Sequence, residues 1–180
     1  MRPDPDLSDE ELMSLVQQAE PVRAAVAYQQ LFERHQHRVY GFLLRRTSDP
    51  EVAAELFQET FLSVHRARNT WQAGRRFRPW LFSIAANAGR DAARRDRRTP
   101  PTDDLLPDSA VTHDHKSIRL DLGRALAELP DTLRDAFLLG AVEGMDHNEV
   151  AEALDITPAN ARARLSRARA WLRDRLGGAP

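Results

Sequence analysis

The chain has no cysteine. That absence excludes disulfides, thiolate zinc sites and direct thiol redox sensing. No apolar run approaches the roughly 18 residues of a membrane span. The opening MRPDPDLSDEEL is acidic and unlike a signal peptide, so a cytoplasmic protein without its own membrane attachment is expected. Neither a strand-like alternation nor an internal repeat occurs. There is no HExxH or comparable ligand spacing, and neither His35 with His37 nor His113 with His115 shares a helix face. No metal and no cofactor are therefore expected.

What remains is a soluble globular composition of 180 residues, enough for one domain or two small ones. The net charge of −1 hides an asymmetry. Asp4, Asp6, Asp9, Glu10, Glu11 and Glu20 load the start of the chain. Arg90, Arg94, Arg95, Arg97 and Arg98 crowd one later segment, and six arginines from 162 to 175 crowd another. Free-standing DNA binders are usually basic overall. Two basic patches on a neutral chain fit a protein that meets nucleic acid within a larger assembly.

Nearly everything outside the loops reads as helix. Ser8 and Glu11 form a capping box, with Leu12, Leu15, Val16 and Ala19 on the apolar face behind it. A long helix over about 22–46 carries Tyr28, Leu31, Phe32, His35, Val39, Phe42 and Leu43 inward. Asp49 as N-cap and Pro50 at the first helical position open a third, striped by Ala53, Leu56, Phe57, Phe61 and Val64. The loop NTWQAGRRF leads into a fourth over about 79–98, with Leu81, Ile84, Ala85 and Ala88 inward. The stretch TPPTDDLLPDSAVTHDHK then breaks every periodicity and reads as a polar linker. Helices over about 117–129, 132–143, 147–154 and 158–176 follow. The fold class is all-α: two helical domains, 1–98 and 117–180, on a flexible linker, 99–116.

The last two helices read as a helix-turn-helix. Asp146 and Glu149 make a second capping box, and Asp155-Ile156-Thr157 is the turn. Asp155 stands where glycine is more usual, but aspartate tolerates the left-handed conformation. Thr157 caps the next helix, with Pro158 at its first position. Projected at about 100° per residue, that helix stacks Ala161, Leu165, Ala168, Leu172 and Leu176 on one side. Opposite lie Ala159, Ala163, Ser166 and Ala170, all small. Arg162, Arg169 and Arg173 flank the small face on one side, and Arg164, Arg167 and Arg175 on the other. Small residues let a helix enter a major groove while arginines beside them reach bases or phosphates. A merely solvated helix would more often mix glutamate and lysine.

These residues resemble a known family. ALAELPDTLRDAFLLGAVEGMDHNEVAEALDITPANARARLSRARAWLRDRL resembles region 4 of the extracytoplasmic-function (ECF) group of bacterial sigma factors. DPEVAAELFQETFLSVHRA, with Gln58, Glu59 and Phe61, and FRPWLFSIAANAGRDAARRDRR are similar to that group's region 2. Motif order and linker position agree from about residue 24 to 176. The resemblance implies an initiation factor rather than an enzyme, built of two helical domains without the additional regions of housekeeping sigma factors or a C-terminal extension. It implies core RNA polymerase as partner, through the clamp helices of the largest subunit and the flap, together with promoter DNA and an anti-sigma factor. Its region 2 residues for polymerase would be Glu55, Leu56, Gln58, Glu59 and Leu62. Glu55-Leu56 departs mildly from the more usual Asp-Leu.

For the unpaired −10 element the resemblance implies Trp71, Arg75, Arg76, Phe77, Asn87, Arg90, Asp91, Arg94 and Arg95. For the duplex −35 element it implies Thr157, Asn160, Arg162, Ala163, Arg164, Ser166 and Arg167. Bland readings stand beside these. Trp80 reads as core, Trp71 equally as core or stacking platform, and Asp91 as a partner of Arg94 or Arg95. Glu51, Glu55 and Glu59 also read as a solvated ridge. The alternative for the whole chain is a polymerase-independent helix-turn-helix regulator with a sensing or dimerising N-terminal lobe. A metal-dependent hydrolase lacks the ligand spacing it would need.

Overall fold

The computed structural model describes residues 7–96 and 115–177, and among these every regular element is helical. In chain order they are α1 (Asp9–Gln18), α2 (Pro21–Thr47), α3 (Pro50–Ala67), a short 3₁₀ turn (Arg68–Thr70), α4 (Phe77–Asp96), α5 (His115–Glu128), α6 (Asp131–Phe137), α7 (His147–Leu154) and α8 (Pro158–Gly177). The fourth helix begins two residues earlier than periodicity alone placed it. The expected helix over 132–143 is α6 running into a π-type turn, Leu138–Val142. Arg97, Arg98 and most of the expected linker lie outside the described residues, as do His113 and Asp114.

The ends of the helices follow from their capping chemistry. Ser8 Oγ accepts from the Glu11 amide while the Glu11 carboxylate accepts from the Ser8 amide. Asp49 accepts from the amides of Glu51 and Val52, two donors the helix cannot satisfy for itself. Asp146 with Glu149 repeats the capping box on α7, and the Thr157 hydroxyl accepts from the Asn160 amide on α8. Asp155 is left-handed, at φ 53°, as the tight turn between α7 and α8 requires.

The N-terminal lobe wraps α1, α3 and α4 around α2. Leu31, Val39, Phe42 and Leu43 of α2 are buried against Leu12 and Met13 of α1 and Leu81 and Phe82 of α4. Phe32, Phe57 and Phe61 join edge to face along the α2–α3 seam, while Tyr28 meets His65 edge to face and donates to the Phe61 carbonyl at 2.6 Å. Burial pushes the Tyr28 phenol up to about 12. His35 is buried too, its Nε2 2.6 Å from Asp9 Oδ2, with Arg34 completing the cluster at 3.1 Å. In the C-terminal lobe Val150, Ala151 and Leu154 of α7 meet Ala161, Leu165, Ala168 and Leu172 of α8. Leu176 departs from the expected stripe: the last turn outruns the lobe and leaves it 44% exposed.

The lobes pack on each other: α4 lies along α7, and the end of α2 meets α5, α6 and the π-type turn. At the centre Arg46 Nε donates to Asp135 Oδ1 at 2.7 Å, with both side chains almost wholly buried. Arg134 reaches across as well, donating to the Arg46 carbonyl at 2.8 Å and to carbonyls at the end of α5. Arg46 passes α4 at Gly89, where a Cβ would lie 2.9 Å from its Cδ. The two lobes meet through side chains that are distant in sequence.

Candidate nucleic-acid interfaces

The helix-turn-helix presents α8 as a lever with one buried and one open side. Ala161, Leu165, Ala168 and Leu172 are buried, Ala159, Ser166 and Ala170 are exposed and Ala163 is half-buried. Arg162, Arg167, Arg169 and Arg173 point to solvent, and among the described residues no ion pair holds them. Arg164 is steadied by Asn160, which accepts from its Nε at 3.1 Å, and Arg175 pairs with Glu128. A guanidinium held by a neighbouring amide loses less rotamer freedom when it reaches a base edge. The π-type turn supports this lever: Gly140 sits so close to Leu165 that a Cβ there would lie 3.0 Å from its Cδ2.

The arginine-rich loop of the N-terminal lobe is arranged differently. Trp71 is only 3% exposed and Phe77 is buried, so neither ring is offered to a base in this conformation. The reason is long-range: Gln17 of α1 donates to the carbonyls of Arg68 and Trp71, and Glu10 accepts from the Phe77 amide at 2.9 Å. These bonds pull both ends of the loop onto α1. Trp80 is buried, matching its reading as core.

Between those anchors Arg75 and Arg76 project outward and meet the other lobe. Arg75 Nε donates to Glu152 Oε1 at 3.0 Å. Arg76 lies 2.9 Å from Glu149 Oε1 and 3.5 Å from Asp146 Oδ2, and its pKa is raised chiefly by Glu149. The next arginine, Arg78, donates to the Glu143 carbonyl. None of these acids was expected at a site. Asp146 and Glu149 were legible only as a cap, although acids at 146, 149 and 152 recur every third residue along one helix.

Asn87, Asp91, Arg94 and Arg95 are exposed along the outer side of α4, and Arg90 is half-buried. Arg90 donates to Asn87 Oδ1 at 2.7 Å, and Arg94 pairs with Asp91 at 3.6 Å. Across from them on α3, Glu55 and Glu59 line the same groove of about 500 Å³ as Asn87, Asp91 and Arg95. The expected polymerase-facing and strand-facing residues therefore share one groove wall to wall. Gln58 is exposed and Leu62 is 52% exposed. Leu56 turns inward and is buried, as its place in the α3 stripe dictates. Among the described residues no group of acids and histidines could hold a metal ion, and no helix is long and apolar enough to cross a membrane.

Fold and geometry together define a two-lobed helix-turn-helix protein whose exposed arginines lie on both lobes. The model of Sigma-70 region 2 matches residues 31–99, and that of Sigma-70, region 4 matches residues 119–172. RNA polymerase sigma factor CarQ of Myxococcus xanthus is 42% identical over 156 residues, covering 84% of this chain and 90% of its own. ECF RNA polymerase sigma factor SigE of Mycolicibacterium smegmatis is 32% identical over 181 residues, covering 94% of this chain and 69% of its own. In solved structures the fold recurs in CnrH, determined with the cytosolic domain of CnrY (TM-score 0.73, 24% identity, 96% of this chain and 99% of that one). It recurs also in the sigma factor RpoE from Bartonella quintana, determined with the anti-sigma factor NepR (TM-score 0.69, 20% identity, 85% and 98%). The chain belongs to the extracytoplasmic-function group of sigma-70-type RNA polymerase sigma factors. It is a transcription-initiation protein that works with core RNA polymerase on promoter DNA, which displaces the reading as a polymerase-independent regulator.

Proposed function

We propose that residues 1–98 act as the region 2 domain and 117–180 as the region 4 domain, joined by a linker over 99–116. In this reading α8 enters the major groove of the −35 element with Thr157, Asn160, Arg162, Ala163, Arg164, Ser166 and Arg167 at the DNA. Arg75 and Arg76 of the loop, with Asn87, Arg90, Asp91, Arg94 and Arg95 of α4, handle the unpaired −10 strand. Trp71 and Phe77 shape that loop from within. Glu55, Gln58, Glu59 and Leu62 of α3 meet the clamp helices of the largest polymerase subunit, with Leu56 holding the ridge from beneath, and region 4 meets the flap. The chain works in the cytoplasm as a non-enzymatic factor and is restrained by an anti-sigma factor. Support for that restraint comes from the similarly folded RpoE, which was determined with NepR.

The observation that carries this reading is α8: one face buried, the opposite face small, and arginines on both flanks. Small residues admit the groove, and the flanking guanidinium groups match guanine edges and phosphates. Transcription with purified core polymerase on the host's own promoters tests it. Start-site selection should require both polymerase and this chain; initiation at the same sites without the chain would sink the reading.

A further inference from the structure

α1 carries none of the residues assigned above to DNA or polymerase, yet it holds both ends of the loop over 69–77. Its buried side, Leu12, Met13 and Val16, packs into the N-terminal lobe. Asp9 ties its start to α2, 2.6 Å from His35 and 3.1 Å from Arg34. Glu10 and Gln17 stand seven residues apart, two helical turns and about 10 Å along one face. Gln17 directs both hydrogens of its side-chain amide to the carbonyls of Arg68 and Trp71, at 2.7 and 2.8 Å. Glu10 Oε1 accepts from the Phe77 amide at 2.9 Å. These are the groups that helix ends leave unsatisfied: carbonyls behind one helix and an amide at the start of the next.

Between these anchors the tip is a turn of its own. The Arg75 amide donates to the Gln72 carbonyl at 3.1 Å, with Gly74 at φ 94° in the third position. Trp71 is buried, but its Nε1 meets no hydrogen-bond partner, so Gln17 supplies the long-range polar grip on that end. Arg75 and Arg76 follow directly from the turn, and the span between the two anchors sets where they stand. On the assignment of this loop to single strands, we propose that α1 is a positioning element for capture of the unpaired −10 strand. Gln17 and Glu10 are its positioning residues: they hold the loop at a fixed span, so that Arg75 and Arg76 reach the strand together. A loop already held in shape loses less freedom when the strand arrives. The polarity is specific, because position 17 must donate and position 10 must accept. Gln17→Glu keeps the shape but sets a carboxylate, an acceptor only, against two carbonyls.

The test uses holoenzyme assembled from core polymerase and the full chain. A fluorescein-labelled oligonucleotide carrying the non-template strand of a host promoter across its unpaired segment reports strand binding. A labelled duplex of the upstream element reports α8. Gln17→Glu should weaken strand binding about tenfold, as expected for two lost hydrogen bonds, with duplex binding within about twofold of wild type. Permanganate reactivity of the promoter's unpaired thymines should fall with it. Gln17→Lys, which keeps a donor, should bind the strand within about twofold of wild type. Should Gln17→Glu not fold, Glu10→Leu against Glu10→Gln carries the same contrast. Strand binding should be about threefold weaker in the first, where the Phe77 amide loses its acceptor, and that of wild type in the second. Equal losses on strand and duplex, or wild-type strand binding by Gln17→Glu, would overturn the proposal. A loss in Gln17→Lys as large as in Gln17→Glu would do the same. Arg75→Ala with Arg76→Ala separates the two layers. Strand binding kept by that pair removes the loop assignment, whereas strand binding lost there and kept in Gln17→Glu removes only the role of α1.

Discussion

The two lobes carry their arginines in opposite ways. In the C-terminal lobe a single helix separates its packed face from its exposed arginines by angle alone, so Leu165 faces in and Arg162 faces out. In the N-terminal lobe the loop cations are placed by partners far along the chain: Gln17 holds the loop, and Glu149 and Glu152 hold its arginines. A helix offers its reading surface unconditionally; a loop can be offered or withheld.

The comparison breaks most severely at the cores. Phe42→Ala should cost about 3–5 kcal/mol and Leu165→Ala about 2–5 kcal/mol in chemical denaturation. If the interface couples the lobes, each substitution lowers one shared transition; two separate transitions, each moved by only one variant, would mark the lobes as independent. At the DNA the expected effect is smaller. Arg162→Ala or Arg164→Ala should cost about 1–3 kcal/mol at one position of the upstream element if the arginine reads a base, measured by titration against a panel of substituted duplexes. A uniform loss with a shallower salt slope would make it a phosphate contact.

The caps allow a finer comparison between lobes. Asp49→Ala in one and Thr157→Ala in the other should each cost about 1 kcal/mol in thermal or urea unfolding. An unchanged midpoint would show that the cap is not holding its helix. The smallest effect is confined to acid. Burial opposes ionisation of Asp9, but His35 and Arg34 outweigh it and hold the carboxyl below its ordinary value of 3.8. Its stabilisation is therefore complete above that ordinary value and is lost as pH falls through the lower, folded one. Asp9→Asn should flatten the acid limb of a stability-against-pH curve; an identical limb would show that the pair does not contribute.

How much the sequence disclosed follows the range of each interaction. Ser8, Asp49, Asp146 and Thr157 signal their helix starts because a cap acts within three residues. The faces of α8 were legible because a straight helix turns by a fixed angle, and Leu176 escaped only where the lobe ends. Trp71 stood undecided because the bond that seats its loop comes from Gln17, 54 residues away. Arg46 and Asp135 are 89 residues apart and look like ordinary surface charges in isolation. The early start of α4 at Phe77 is met by Glu10 of α1, whose carboxylate accepts from the Phe77 amide 67 residues away.

Gly89 shows what that long-range dependence does to a single position. Judged by α4 alone, alanine would serve better there by about 1 kcal/mol, because glycine loosens a helix interior. The missing methyl group instead clears a passage for the Arg46 side chain on its way to the opposite lobe. The local helix therefore accepts a weaker residue for the sake of a handshake it takes no part in. Substitutions at 89 that strengthen the first domain should loosen its hold on the second, making this site a natural dial for how readily the factor unfastens.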